Sequence, residues 1–215
     1  MNPSLPADYL RSEVLGEFRA GVATFLDPDA LEACVVPDRH ELPPSEGVRY
    51  QAFVDPSGGS RDAFALAIAH AADVRVIVDV VRAWAPPFNP SGVVEEIAAV
   101  LRGYDVNEVV GDRYAGEWPR EQFRFRGIEY QVAELDRSRL YLEFLPRVNA
   151  GTVELPQDQM LLRELRGLER RRGPSGRDRI DHRPGEHDDR ANAVAGVVQL
   201  AGNAPAEWRD TFFVG

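Results

Sequence analysis

Three groups of acidic residues offer the clearest chemistry in this sequence: Asp55, Asp112 and the neighbouring pair Asp188 and Asp189. Carboxylate oxygens are the ligands that Mg²⁺ and Mn²⁺ prefer. Two such ions, held about 4 Å apart, can assist both the attacking and the leaving oxygen of an in-line phosphoryl displacement. The protein need only supply shared carboxylates on rigid supports. The acids therefore predict a candidate site for two Mg²⁺ or Mn²⁺ ions.

Asp55 and Asp112 each end a predicted strand. Residues 50–54 are aromatic and β-branched, and a turn of Pro, Ser and Gly follows Asp55. Two further strands, within 63–69 and 74–81, complete an antiparallel meander. Pro90 then begins a helix that stops at Gly103, and the short strand 108–112 follows. Strand, helix and strand in succession favour a parallel pairing, which places both acids at one edge of the sheet.

The third acidic group opens a helix. His187, Asp188 and Asp189 precede a stripe of Ala and Val residues that is typical of a buried helix face. His187 is a supporting residue that either caps the helix or orients a neighbouring acid. Upstream, Ser138 is predicted to cap another helix, with an apolar face.

Each acid also has a structural interpretation. Asp55 fits the start of a turn, since Asp before Pro and Gly is common there. Asp112 fits an ion pair with Arg113 at the end of its strand. Asp188 and Asp189 are favourable at a helix N-terminus because of the helix dipole alone. The sequence leaves these alternatives open.

Arginines form the second signal, because guanidinium groups suit phosphate in charge and in geometry. They cluster on a predicted hairpin beside the last acidic group and are candidates for binding double-stranded DNA. The alternative is a solvated hairpin in which Glu169, Asp178 and Asp181 neutralise them. The DNA-binding candidates are Arg170, Arg171, Arg172, Arg177 and Arg179.

Composition excludes several classes of protein. All 25 Lys+Arg positions are Arg, so a lysine nucleophile and a P-loop lysine are absent from the sequence. The single cysteine, Cys34, excludes an internal disulfide and fits a reducing, cytoplasmic setting. No apolar run approaches membrane-spanning length, so no membrane role is expected. The net charge of −10 argues against a generally basic nucleic-acid protein but allows local basic patches.

The 215 residues fit one large domain with extensions. Residues 1–47 are predicted as an arm or linker that packs on the main domain or on a missing partner. Residues 48–202 form the main domain, and residues 203–215 form a tail.

Taken together, the ordered motifs resemble the nuclease domain of phage terminase large subunits. The motifs are Asp55-Pro56-Ser57-Gly58-Gly59, then Val110-Gly111-Asp112-Arg113-Tyr114, then His187-Asp188-Asp189-Arg190-Ala191-Asn192-Ala193. The arm resembles the segment that joins motor to nuclease in that family, and Arg113 is carried over as a supporting residue.

This resemblance implies an α/β, RNase H-like fold, in which a three-strand antiparallel meander and parallel strands form one mixed sheet flanked by helices. It implies a metal-dependent endonuclease that cuts double-stranded viral DNA during packaging. Asp55, Asp112 and Asp189 would be catalytic. The metal ligands would be Asp55, Asp112, Asp188 and Asp189, with Asp189 preferred over Asp188 as the main ligand from the helix. The implied partners are DNA, a motor ATPase domain, the small terminase subunit and the portal, in the cytoplasm of a host cell.

One departure from the family is large, because the sequence has no Gly-rich motor loop with its lysine. We expect a nuclease fragment, a separately encoded nuclease or a prophage remnant. Two other functions stay open. One is a non-catalytic assembly module that docks packaging partners. The other is a different RNase H-like nuclease, such as a junction resolvase.

Overall fold

The computed structural model describes residues 22–112, 116–172 and 178–205. Within these ranges lie nine strands, β1 (Val22–Thr24), β2 (Tyr50–Asp55), β3 (Phe64–Ala72), β4 (Arg75–Trp84), β5 (Glu108–Gly111), β6 (Glu129–Val132), β7 (Val153–Glu154), β8 (Leu168–Arg172) and β9 (Asp178–His182). The same ranges contain six helices, α1 (Pro28–Ala33), α2 (Pro90–Gly103), α3 (Glu117–Arg124), α4 (Arg137–Asn149), α5 (Gln159–Arg166) and α6 (Asp189–Gly202).

The main sheet has six strands in the order β6-β5-β2-β3-β4-β7. Strands β2, β3 and β4 form the predicted antiparallel meander. Strand β5 runs parallel to β2, β6 runs parallel to β5, and β7 runs parallel to β4. The predicted mixed sheet is confirmed. Strands β3 and β4 are longer than predicted, and β3 is buried along nearly its whole length.

Helices cover both faces of the sheet. Successive side chains of a strand point to opposite sides, so each face presents its own set of apolar residues. On one face, residues such as Val54, Leu66 and Val80 pack with apolar residues of α2 and α3. On the other face, Phe53 and the alanines of β3 pack with α6, which α4 and α5 cover in turn. Small alanine side chains on both α6 and β3 allow a close approach of helix and sheet.

Helix starts follow capping chemistry, with one correction. Asn89 accepts a hydrogen bond from Ser91 N at the start of α2, as Pro90 predicted. The prediction that Ser138 caps α4 is wrong, because Asp136 accepts from Arg139 N at 2.9 Å and is the N-cap. Ser138 instead exchanges hydrogen bonds of 3.1 and 3.2 Å with the backbone of Ile180 and ties α4 to β9.

The predicted arginine hairpin is a second, three-stranded antiparallel sheet in the order β1-β8-β9. Its outer strand β1 comes from the predicted arm. Leu31 and Cys34 of the arm lie in the core, and Val35 bridges to Leu155. The described part of the arm therefore packs on the main domain, which is one of the two positions expected for it. The domain boundaries themselves stay a prediction.

No helix in the described part of the chain is long and apolar enough to cross a membrane.

Candidate metal centre

Backbone register brings Asp55 and Asp112 together. Parallel strands β2 and β5 pair Val54 with Gly111, so the residue that follows each is an aspartate at the same edge of the sheet. Gly111 is required here, because a β-carbon on it would overlap the Tyr130 ring. The Tyr130 hydroxyl donates to the backbone oxygen of Asp112 at 3.3 Å and so supports the end of β5. The relation predicted between the two acids is confirmed by this pairing.

Helix α6 brings Asp189 to the same edge. Oδ2 of Asp189 accepts a 3.0 Å hydrogen bond from the backbone N–H of Ala63, immediately before β3. Two residues further along β3, Ala65 pairs with Asp55. Two turns further along the helix, the ring of Phe53 lies against Gly196, where any β-carbon would overlap it. This close contact and the Ala63 hydrogen bond fix α6 on β2 and β3.

Asp188 is the N-cap residue of α6 and is almost fully buried. Its Oδ1 accepts a 2.9 Å hydrogen bond from Nη1 of Arg137, and its Oδ2 accepts a 2.8 Å hydrogen bond from the Tyr141 hydroxyl. Burial lowers the pKa of Arg137, but the charge of Asp188, together with smaller effects of Tyr141, Asp181 and Asp55, offsets this and leaves that pKa raised. Asp188 is therefore engaged by α4, whereas Asp189 is held by one backbone N–H.

The carboxylates at this edge repel one another. Burial raises the pKa of Asp55 well above its usual range, a nearby Asn192 amide lowers it in part, and the charges of Asp189, Asp112 and Asp188 raise it further. Burial also raises the pKa of Asp189, despite its hydrogen bond from Ala63. A bound divalent cation would relieve both effects, because it stabilises the ionised form of each acid.

The side chains do not, however, form a closed ligand set. Across the described ranges, no three His, Cys, Asp or Glu side chains converge closely enough to hold one ion. The fully buried Asn192 also bears on whether these residues fit a bound ion. Its amide is near enough to Asp55 to lower the pKa of that acid, yet neither Oδ1 nor Nδ2 reaches hydrogen-bonding geometry with any described residue. Leaving such a group unpaired costs roughly 1–3 kcal/mol. The residues present fit a polar ligand, and a divalent cation matches their charge.

Of the two supporting residues predicted from the sequence, His187 pairs with an acid outside the proposed ligand set, and Arg113 falls outside the described residues. Nδ1 of His187 lies 3.4 Å from Oδ1 of Asp62, and both side chains are more than half exposed. Its ion-pair partner is thus an acid of the β2–β3 connection. Arg113 and Arg177 fall outside the described residues, and Arg172 is described only in its backbone.

The hairpin arginines have acidic partners. Arg170 lies 3.5 Å from Asp178 and stacks over the Phe25 ring. Arg171 donates to Glu169 at 3.2 Å. Arg179 pairs with Asp181 at 2.9 Å but keeps 70% of its side chain exposed. The three acids are the partners that the solvated-hairpin alternative named, and DNA binding by these arginines stays a prediction.

A cleft of about 910 Å³ opens beside Asp112, between the first turn of α4 and β9. Arg137, Arg139 and Arg179 line it together with Asp136 and Asp178. Sequence reasoning did not single out Arg137 or Asn192. Arg137 has no local signal, since its partner lies 51 positions away. Asn192 does have one, because it is the one polar residue in the buried run of small and apolar residues from Ala191 to Val198.

The fold of the chain is that of phage large terminase nucleases. The large terminase nuclease from thermophilic phage G20c with bound magnesium superimposes with a TM-score of 0.69 at 19% identity, over 82% of this chain and 98% of that chain. The large terminase of bacteriophage HK97 gives 0.66 at 18% identity, over 84% of this chain and 44% of that chain. A variant nuclease domain of the Sf6 large terminase subunit, with manganese and beta-thujaplicinol, gives 0.63 at 12% identity, over 86% and 100%.

These similarities confirm the predicted fold class and the resemblance at the level of structure. No protein-family model matches the chain, and no curated protein sequence matches it. At such low identities the likeness establishes the fold alone, and the chemistry depends on the residues at the sheet edge.

Proposed function

We propose that this chain is a metal-dependent endonuclease that cuts double-stranded viral DNA during genome packaging. The observation that carries the proposal is the parallel register of Val54 with Gly111, which sets Asp55 beside Asp112. Asp189 reaches the same edge through its hydrogen bond with Ala63. Solved structures of the same fold with magnesium or manganese support a divalent cation as cofactor.

The four aspartates would have different roles, because different structural elements hold them. Asp55, Asp112 and Asp189 would hold two Mg²⁺ or Mn²⁺ ions, with Asp55 central because the other acids act on it. When bound, such ions help to ionise a water molecule and stabilise the leaving 3′ oxygen. Asp188 fixes the start of α6 through Arg137 and keeps Asp189 in place. Rigid strand ends limit the motion of the two sheet acids.

The cleft beside Asp112 is the proposed path of the DNA strand. Its walls carry Arg137 and Arg139 from α4 and Arg179 from β9. A chain of net charge −10 must concentrate its positive charge locally to bind a polyanion. Binding should therefore weaken steeply as salt is added.

Cleavage of supercoiled plasmid in Mn²⁺ or Mg²⁺ tests the proposal. We expect nicked and linear products from the wild type and none from Asp55→Asn, Asp112→Asn or Asp189→Asn. Asp29→Asn is the matched control, because this acid is exposed on α1 and its loss changes the net charge equally. Undiminished cleavage by Asp55→Asn would overturn the assignment of the site.

A non-catalytic assembly module is the second candidate, favoured by the acidic partners of the hairpin arginines. Calorimetric titration with Mn²⁺ separates the two. Binding that Asp112→Ala abolishes supports the nuclease, whereas no binding by the wild type supports the module. A junction resolvase is distinguished by offering linear duplex, four-way junction and RNA–DNA hybrid. Preference for the junction would favour that alternative.

The chain spans 44% of the HK97 large terminase. We extend the proposal to the partners that the fold suggests: a motor ATPase domain, the small terminase subunit and the portal. Acting with them, the nuclease would cut DNA in the cytoplasm of the host cell.

A further inference from the structure

The buried amide of Asn192 is not among the ligands of the proposed metal centre. Helix α6 is lined with small apolar residues from Ala191 to Ala201, and Asn192 interrupts them with a side chain that is 0% exposed. Its backbone N–H is satisfied by Asp188 O at 2.7 Å. The side-chain amide, in contrast, reaches no hydrogen-bond partner among the described residues.

Helix geometry directs this amide at the acidic edge. Asp189, Asn192 and Gly196 share one face of α6, at the spacing of successive turns. Gly196 lies on Phe53, and Asp189 bonds to Ala63. Along the axis of α6, the turn from Gly196 back to Asn192 spans about 6 Å. Along β2, the two residues from Phe53 to Asp55 span about 6.6 Å. The two displacements match, so Asn192 stands opposite Asp55.

We propose that Asn192 is a positioning residue of the metal centre. When a divalent cation is bound, its Nδ2–H group would donate to one oxygen of the Asp55 carboxylate, and its Oδ1 would accept from a water molecule bound to the cation. This inference rests on the proposed function, since it assigns a residue to the same site. An empty site leaves the amide unpaired, and a loaded site satisfies it.

An amide suits this position better than a fourth acid. Asp112, Asp188 and Asp189 already place negative charge around Asp55. A further carboxylate would add repulsion in the metal-free protein, whereas an amide supplies a donor and an acceptor without charge. An apolar residue would avoid the unpaired group but would leave Asp55 without its donor.

Two substitutions with opposite expected signatures test the inference. Asn192→Leu is nearly isosteric and removes the unpaired amide. We expect metal-free stability in EDTA to be equal to or above that of the wild type, with Mn²⁺ affinity reduced roughly 10- to 100-fold, as for other residues that orient metal ligands. Asn192→Asp restores an oxygen and adds charge. We expect it to lower the metal-free melting temperature and to keep wild-type or tighter Mn²⁺ binding.

Calorimetry with Mn²⁺ and thermal unfolding in EDTA supply the two readouts. Gln199→Leu is the control, because it makes the same chemical change two turns further along α6 and should leave Mn²⁺ affinity unchanged. A merely structural Asn192 predicts lower stability of Asn192→Leu in EDTA with unaltered Mn²⁺ affinity, and that result would overturn the inference. Absence of Mn²⁺ binding by the wild type would instead overturn the proposed function.

Discussion

Arg137 donates a 2.9 Å hydrogen bond to the buried carboxylate of Asp188. This contact joins the first turn of α4 to the N-cap of α6 and separates the tasks of two adjacent acids. The Asp188 carboxylate accepts hydrogen bonds from Arg137 and from the Tyr141 hydroxyl, so its role is to fix the position of α6. Asp189, whose one side-chain hydrogen bond among the described residues comes from the backbone N–H of Ala63, is the better candidate for a ligand.

Arg137→Met should therefore destabilise the fold. The substitution keeps most of the side-chain volume but leaves the charge of Asp188, which is 3% exposed, without its cation. Removing one partner of a buried pair typically costs about 3 kcal/mol. Urea unfolding in EDTA measures the loss. Arg139→Met, at an exposed position on the same turn, should change stability by less than about 0.5 kcal/mol. Equal losses in the two variants would show that the ion pair contributes nothing.

Asp55→Asn should stabilise the metal-free protein at neutral pH. The folded-state pKa of Asp55 is raised by burial and by three neighbouring acids. For an acid with a raised pKa, the favourable contribution is complete below its unfolded pKa and is lost as pH rises through its folded pKa. A neutral amide avoids this loss. We expect a higher melting temperature in EDTA at pH 7, and no further rise when Mn²⁺ is added.

The Asp29→Asn control should match the wild type in both conditions, since that acid is exposed. A lower metal-free melting temperature for Asp55→Asn would contradict the electrostatic account of the site.

Sequence reasoning found what depends on local pattern. Aromatic and β-branched runs and turn residues predicted the meander, and the helix between two strands predicted the parallel pairing that sets Asp55 beside Asp112. It could not find Arg137, because the partner of this residue is decided by how α4 packs on α6. It also placed the cap of α4 at Ser138. The carboxylate of Asp136 caps the helix instead by accepting from Arg139 N–H, and the Ser138 hydroxyl is engaged by the backbone of Ile180, 42 positions away.

Gly196→Ala should damage the packing that positions the metal centre. A β-carbon at this position would overlap the Phe53 ring, two residues before Asp55. Overpacking of a buried contact typically costs about 1–3 kcal/mol. Gly103→Ala, where nothing lies within 4 Å, should be neutral or stabilising. Urea unfolding of both variants checks the prediction, and a stable Gly196→Ala would show that α6 can shift away from β2.

Arg179→Ala should weaken duplex binding without sequence preference. This side chain is 70% exposed on the wall of the cleft, and its partner Asp181 leaves most of it accessible. Loss of one phosphate contact should reduce the slope of log affinity against log salt by about 1. Arg75→Ala is the control, because Arg75 lies at the other end of the main sheet, paired with Glu154. Fluorescence anisotropy over a salt series gives both slopes, and equal slopes would remove Arg179 from the interface.

Glu164 should make stability fall as pH rises through the mildly acidic range. This carboxyl is 7% exposed, accepts from the backbone N–H of Ala191, and has a pKa raised by burial from 4.5 to about 7. Between those values the folded state binds a proton that the unfolded chain has lost. Stability from this group is thus complete below pH 4.5 and is lost by about pH 7. At about 1.4 kcal/mol per pKa unit, the change approaches about 3 kcal/mol.

Glu164→Gln keeps an acceptor for Ala191 but cannot titrate, so its stability relative to the wild type should rise between pH 4.5 and about 7. Urea unfolding at intervals of pH, in EDTA, measures that difference directly. Glu143→Gln, at an exposed position on α4, is the control for removing one carboxylate. A constant difference between Glu164→Gln and the wild type across the range would mean that Glu164 is ionised throughout, with Arg190 as its effective counter-charge at 3.3 Å.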